Sequence, residues 1–254
     1  MVQVIPIPAF TDNYIWALIN KSNKSVYVVD PGDAKAVLDF CHQHDLSLQG
    51  ILITHHHWDH TNGVEQLVSE YTELPVYGPS NSPFKGITHK LDDHSSIEID
   101  PLGLSLNVMT VPGHTLDHIA YYNDEMLFCG DTLFNAGCGR LFEGTPAQML
   151  NSLSRIAALA DTTHVYCTHE YTRANLDFAA YIEPHNQALT SYRDELAKHD
   201  KISLPTTIGE QKAINPFLRT HIAEVKAGII AKKVFNEVNE VSVFAALREL
   251  KDNY

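Results

Sequence analysis

The chain has 254 residues, 44% hydrophobic and 19% charged, an ordinary globular composition with enough apolar material for one large domain or two unequal ones. A net charge of −13 argues against a nucleic-acid surface, which needs clustered Lys and Arg, and leaves any anionic small molecule dependent on a local basic patch. No apolar run approaches the ~20 residues that span a bilayer, and Met1-Val2-Gln3-Val4-Ile5-Pro6 lacks a secretory pattern, so a cytoplasmic protein without membrane or nucleic-acid partners is expected.

Strand and helix signals alternate through the first two thirds. Residues 14–19 and 26–30 are β-rich, the second run closing in the turn Asp30-Pro31-Gly32. Ala34, Val37, Leu38 and Cys41 recur at helical spacing. The apolar run 50–54 reads as a short strand, and Val64, Leu67 and Val68 as an amphipathic helix, with a strand at 76–77 after it. Leu104, Leu106 and Val108 alternate with Ser105 and Asn107 at strand period, and 119–122 with 126–129 resemble a hairpin around Asn123-Asp124. Thr145-Pro146-Ala147-Gln148 combines an N-cap, a first-turn proline and a capping-box glutamine, and Met149, Leu150, Leu153, Ile156 and Ala157 continue that helix. Residues 165–167 make one more strand.

From about residue 171 the strand signals stop. Segments 184–199, 220–235 and 239–251 read as helices, separated by the polar, proline-containing stretch 201–216. The expected division is a mixed α/β domain over 1–171 and a smaller helical domain over 172–254. Cys41, Cys129, Cys138 and Cys167 form no C-x-x-C pair and read as free, mostly buried thiols, although Cys138 sits in a glycine-rich loop where it could be reactive.

Fifteen histidines are the unusual number, and Thr54-His55-His56-His57-Trp58-Asp59-His60 concentrates them at the end of a strand. Imidazole and carboxylate donors without cysteine suit borderline cations such as Zn²⁺. A solvated histidine-rich loop is the plain alternative. Three further fragments argue against it: Pro112-Gly113-His114-Thr115, Cys129-Gly130-Asp131-Thr132 and Cys167-Thr168-His169-Glu170 each put a donor just beyond a predicted strand. One end of the sheet system could gather all four groups.

These fragments resemble the metallo-β-lactamase superfamily pattern T-H-x-H-x-D-H, G-H-T, G-D-T and a late histidine, position by position. The resemblance implies an α/β fold, an αββα sandwich followed here by a small C-terminal helical domain. It also implies two divalent metals per chain, zinc foremost and iron or manganese as alternatives. His55, His57 and His114 would hold one, Asp59, His60 and His169 the other, and Asp131 would bridge them. The nucleophile would be a shared metal-bound hydroxide, oriented by Asp59, so no serine or cysteine nucleophile is needed. His56 and Trp58 occupy variable positions. His118 serves either behind the ligands or in packing, and His42, His44, His89, His94 and His199 read as surface or structural.

The segments Cys129-Gly130-Asp131-Thr132-Leu133-Phe134 and Gly137-Cys138-Gly139-Arg140-Leu141-Phe142-Glu143-Gly144-Thr145, with His169-Glu170-Tyr171-Thr172, resemble the glyoxalase II family. Asn215-Pro216-Phe217-Leu218-Arg219 and Arg248-Glu249-Leu250-Lys251-Asp252 extend the likeness into the helical part. The implied partner is a small molecule, an S-(2-hydroxyacyl)glutathione, hydrolysed by a monomer. Arg140, Tyr171, Arg248 and Lys251 are the implied substrate contacts, and Arg219 a structural pair. Arg140 and Phe142 stand where some relatives have Lys and Tyr, so a charge is kept and a hydroxyl lost. The rival on the same fold is a glutathione persulfide dioxygenase with a single iron. The helical C-terminal part and the Arg248/Lys251 pair favour the thioesterase.

Overall fold

A computed structural model describes residues 2–71, 73–198, 202–233 and 239–254. His199 lies outside the described residues, as do the last positions of the predicted helices 184–199 and 220–235. The chain packs as two compact units, Met1–Thr110 with Asp117–Gly130, and Val111–Leu116 with Asp131–Tyr254.

In the first unit, β1 (Gln3–Ala9), β2 (Asn13–Asn20) and β3 (Ser25–Val29) pair antiparallel, with Leu18 opposite Tyr27. Strands β4 (Ser47–Leu52), β5 (Val76–Pro79) and β6 (His89–Leu91) extend the same sheet in parallel. Parallel pairing demands crossovers, and α1 (Ala34–His44), α2 (Trp58–Thr61) and α3 (Val64–Glu70) lie in the two segments that link β3 to β4 and β4 to β5. Asp33 caps α1 by accepting from the Ala36 amide, and Asp45 ends it in a left-handed conformation. Val37, Ile51, Ile53, Leu67 and Val76 pack in one buried core. All five residues of β3 are buried, as a strand covered on both faces should be.

The second sheet of this unit is an antiparallel meander of β7 (Ser96–Ile99), β8 (Leu104–Thr110), β9 (Ile119–Tyr122) and β10 (Met126–Gly130). It meets the first at the end of β4. The Tyr121 hydroxyl donates to the Ile53 carbonyl at 2.8 Å and the Ile119 amide to the Thr54 carbonyl at 2.9 Å. Burial pushes the Tyr121 phenol up, so it stays a neutral donor.

The second unit carries the short pairs β11 (Leu133–Phe134) with β12 (Gly137–Cys138) and β13 (His164–Cys167) with β14 (Thr206–Thr207). Around them stand α4 (Pro146–Ala157), α5 (Thr172–Ile182), α6 (Gln187–Leu196), α7 (Ile208–Ile214), α8 (Ala223–Ile230) and α9 (Glu240–Asp252). The predicted capping box on Thr145 and Gln148 is present. Leu176, Ala179, Leu189 and Ile214 share a small core.

Several elements differ from the sequence reading. Residues after His57 form the turn of α2 rather than an open loop. Strand β1 was hidden by Pro6 and Pro8, which are tolerated because β1 is an edge. Helix α5, with Leu176, Phe178, Ala179 and Ile182 buried on one side, begins where only a boundary was expected. The supposed separator 201–216 holds β14 and α7, the latter capped by Thr207 and Glu210. That T-x-x-E signal was readable in the sequence.

Candidate metal ligands and substrate contacts

In the first unit the donors follow β4. His55 and His60 are buried with ring centroids 4.1 Å apart, and His57 lies 4.8 Å from His55. Behind them stands Asp30, buried and at φ 53° just before Pro31. Its Oδ1 accepts from the Thr54 amide at 2.7 Å. Its Oδ2 accepts from the Thr54 hydroxyl at 2.7 Å and from His60 Nδ1 at 2.9 Å. Because Thr54 donates to Asp30, its oxygen is left to accept from His55 Nδ1 at 3.1 Å. One carboxylate therefore orients two imidazoles and puts the lone pair of each on Nε2, the state a metal requires. Asp30, His55 and His60 have donor atoms within 4.8 Å of one another, and the geometry makes Asp30 the anchor of the pair.

Asp59, on the first turn of α2, accepts from Asn13 Nδ2 at 3.1 Å and lies 3.5 Å from His60 Nε2 through the same oxygen. Gly32 permits this placement, since a Cβ there would come within 1.8 Å of the Asp59 carbonyl. His56 turns away and bonds Asp117 at 2.9 Å. His118 is buried and stacks on His55, with centroids 4.4 Å apart and planes at 15°. It thus packs directly against His55. Trp58 is exposed against Phe10.

In the second unit Asp131 lies between two histidines. Its Oδ2 is 3.4 Å from His114 Nε2 and its Oδ1 is 3.4 Å from His169 Nε2. His114 Nδ1 donates to the Arg140 carbonyl at 2.8 Å, so Nε2 again bears the lone pair. Ser152 on α4 braces the loop by donating to the Pro112 carbonyl at 2.8 Å. Gly139 is obligatory, because a Cβ would sit 2.0 Å from the Asp131 carbonyl. The donors fit borderline divalent ions. In both units imidazole Nε2 atoms have their tautomer set from behind, and Asp131 aims one oxygen at each of two histidines.

The four residues implied as substrate contacts all lie in the second unit. Tyr171 is exposed and stacks on His169 at 4.7 Å, with planes at 4°. Arg140 is exposed and bonds Asp252. Arg248 is only 7% exposed, donating to the Cys138 carbonyl at 2.9 Å and to Asp252, with Phe217 beneath it. Lys251 donates to the Ala174 carbonyl at 3.3 Å, and burial, then Arg248, holds its pKa below the usual lysine value. Cys138 is a buried thiol pushed up to about 11 by burial, which removes it as a nucleophile at neutral pH. All four cysteines are buried thiols, none in a disulfide. Asp30, Asn13 and Asp252 were missed. Asp30 had a signal, a carboxylate at the end of a buried strand, but read only as a turn.

Residues 12–169 match the family model described as the metallo-beta-lactamase superfamily, and 170–254 the hydroxyacylglutathione hydrolase C-terminus. A hydroxyacylglutathione hydrolase from Pseudoalteromonas translucida is 51% identical, with 100% of both chains covered. The chain belongs to the hydroxyacylglutathione hydrolase family. A second member of that family, from Aliivibrio fischeri, is 50% identical over the full length of both chains. A crystal structure of the BLEG-1 B3 metallo-beta-lactamase is 25% identical with a TM-score of 0.63, covering 86% of this chain and 99% of its own. Both parts of the family fold are therefore present, the metallo-β-lactamase α/β fold and the helical C-terminal region. Among the described residues, no helix is long and apolar enough to cross a membrane.

Proposed function

We propose that this member of the hydroxyacylglutathione hydrolase family hydrolyses S-(2-hydroxyacyl)glutathione, such as S-D-lactoylglutathione, to glutathione and a 2-hydroxy acid. In a cell this is the second step of methylglyoxal removal, carried out in the cytoplasm by a monomer. Residues 1–171 carry the metal chemistry and 172–254 form a helical substrate-binding domain, to which the first part adds Arg140 and Tyr171; the two matched ranges support such a division.

His55, His57 and His114 would hold one divalent ion, Asp59, His60 and His169 a second, and Asp131 both. Zinc is the foremost candidate, and His/Asp donors also accept iron or manganese. Two such ions would supply an ionised water near neutral pH and polarise the thioester carbonyl. The observation that carries this reading is Asp131, whose two oxygens face two different histidines at 3.4 Å each.

Asp59, held by Asn13, orients the attacking water. Arg140, Arg248 and Lys251 take up the carboxylates of the glutathione part, and Tyr171 covers one side of His169. A thiolate leaves readily, since its thiol has a pKa near ~8.5, so no strong general acid is required.

The test is loss of thioester from S-D-lactoylglutathione by purified protein, with metal content measured on the same sample. Rapid hydrolysis with close to two ions per chain supports the reading. A fully metallated protein that leaves the thioester intact would overturn it, and oxygen uptake with glutathione persulfide would then be measured.

A further inference from the structure

The loop from Cys138 to Arg140 is gripped by the C-terminal helix α9 at two points. Arg140 Nε donates to Asp252 Oδ1 at 3.2 Å. Arg248 Nε and Nη2 donate to the same oxygen at 3.2 and 3.0 Å, while Arg248 Nη1 donates to the Cys138 carbonyl at 2.9 Å. The Arg248 guanidinium also lies 5.1 Å from the Phe217 ring centroid. One carboxylate oxygen thus collects two guanidiniums that reach it from distant parts of the sequence.

Two guanidiniums side by side repel, and a buried one is costly unless paired. The Arg248 side chain is 8% exposed and that of Asp252 31%, so solvent screens this contact only in part. A carboxylate among cations weakens their field, which is unhelpful in a chain of net charge −13 that must bind an anion. Its presence calls for a compensating role, and the bonds supply one. Without Asp252, Arg140 would be a long, exposed side chain with many rotamers to lose on binding.

We propose that Asp252 is a positioning residue that holds Arg140 and Arg248 side by side as a two-pronged receptor for a carboxylate of the glutathione part of the substrate. This rests on the thioesterase reading above. Arg140 also offers its carbonyl to His114, so the receptor loop continues directly into the support of a metal ligand.

The sign of the effect decides the matter. Steady-state KM and kcat for S-D-lactoylglutathione, with metal content, are compared for the metal-loaded wild type, Asp252→Asn and Asp252→Ala. Positioning predicts a KM raised roughly 5- to 10-fold with kcat within about twofold and metal content unchanged. Adding Arg140→Ala to Asp252→Ala should raise KM little further, because the two changes break one contact. Asp252→Glu, which keeps the charge on a longer stem, should recover part of the loss. A KM that is unchanged or lower overturns the proposal, since a carboxylate that only dilutes positive charge would give that result. So does a joint fall of kcat and metal content, which would make Asp252 a brace of the metal loop. Should Asp252→Ala fail to fold, the near-isosteric Asp252→Asn decides. An inactive wild type, by contrast, sinks the thioesterase reading itself.

Discussion

Asp30 and His60 are joined by a buried hydrogen bond of 2.9 Å, His60 Nδ1 donating to Asp30 Oδ2, although thirty positions separate them. The same oxygen takes the Thr54 hydroxyl at 2.7 Å, and through it His55 is oriented. Asp30→Asn keeps the shape but turns an acceptor into a possible donor, which sets the wrong tautomer on His60. Metal affinity should fall about 10- to 100-fold. Chelator competition on the loaded protein measures it, and an unchanged affinity would remove Asp30 from the site.

Removal of a direct donor should act more severely. His57→Ala and Asp131→Ala should each lose bound metal and thioesterase activity together, and excess metal should restore little of either. Elemental analysis beside initial rates makes the comparison. Normal turnover by either variant would contradict the ligand assignment.

Lys251 should impose a pH dependence on substrate binding. Burial, and secondly Arg248, lower its pKa from 10.5. Above that lowered value the side chain is neutral and loses its attraction for a carboxylate. KM should therefore rise with pH earlier than an exposed lysine would allow, with kcat following a separate profile. Lys251→Arg, which keeps its charge, should flatten the rise. A KM profile identical in the two proteins counts against Lys251 as a contact.

Stability rests partly on Arg219, which binds Glu183 through Nε and Nη2 at 2.9–3.1 Å, with the Glu183 side chain at 0% exposure. Burial raises the Glu183 pKa and Arg219 opposes that rise. Arg219→Ala leaves a buried carboxyl without its cation and should cost about 3 kcal/mol. Adding Glu183→Gln should recover part of the loss. Urea unfolding of the two variants tests this, and equal midpoints would refute it.

The candidate donors stand out in the sequence because each comes just after a predicted apolar strand, and strand ends are readable from local pattern. The helix at Pro146 was legible for the same local reason, a capping box and a first-turn proline within four residues. The pairing of His55, His57, Asp59 and His60 within one short segment needed no long-range information. Local spacing thus determined the donor types, their order and the class of ion they suit.

The tertiary structure alone decided what stands behind them. Asp30 is an anchor because β3 and β4 run parallel and adjacent, which brings its carboxylate to Thr54. The same is true of Asp252, whose role as the shared acceptor of Arg140 and Arg248 depends on where α9 packs, not on helical periodicity. Nor does the sequence show that Arg248, an implied substrate contact, is buried and pinned by the Cys138 carbonyl and Asp252. Hydrogen bonds across such separations are set by how sheets and helices pack, and no local pattern encodes that packing.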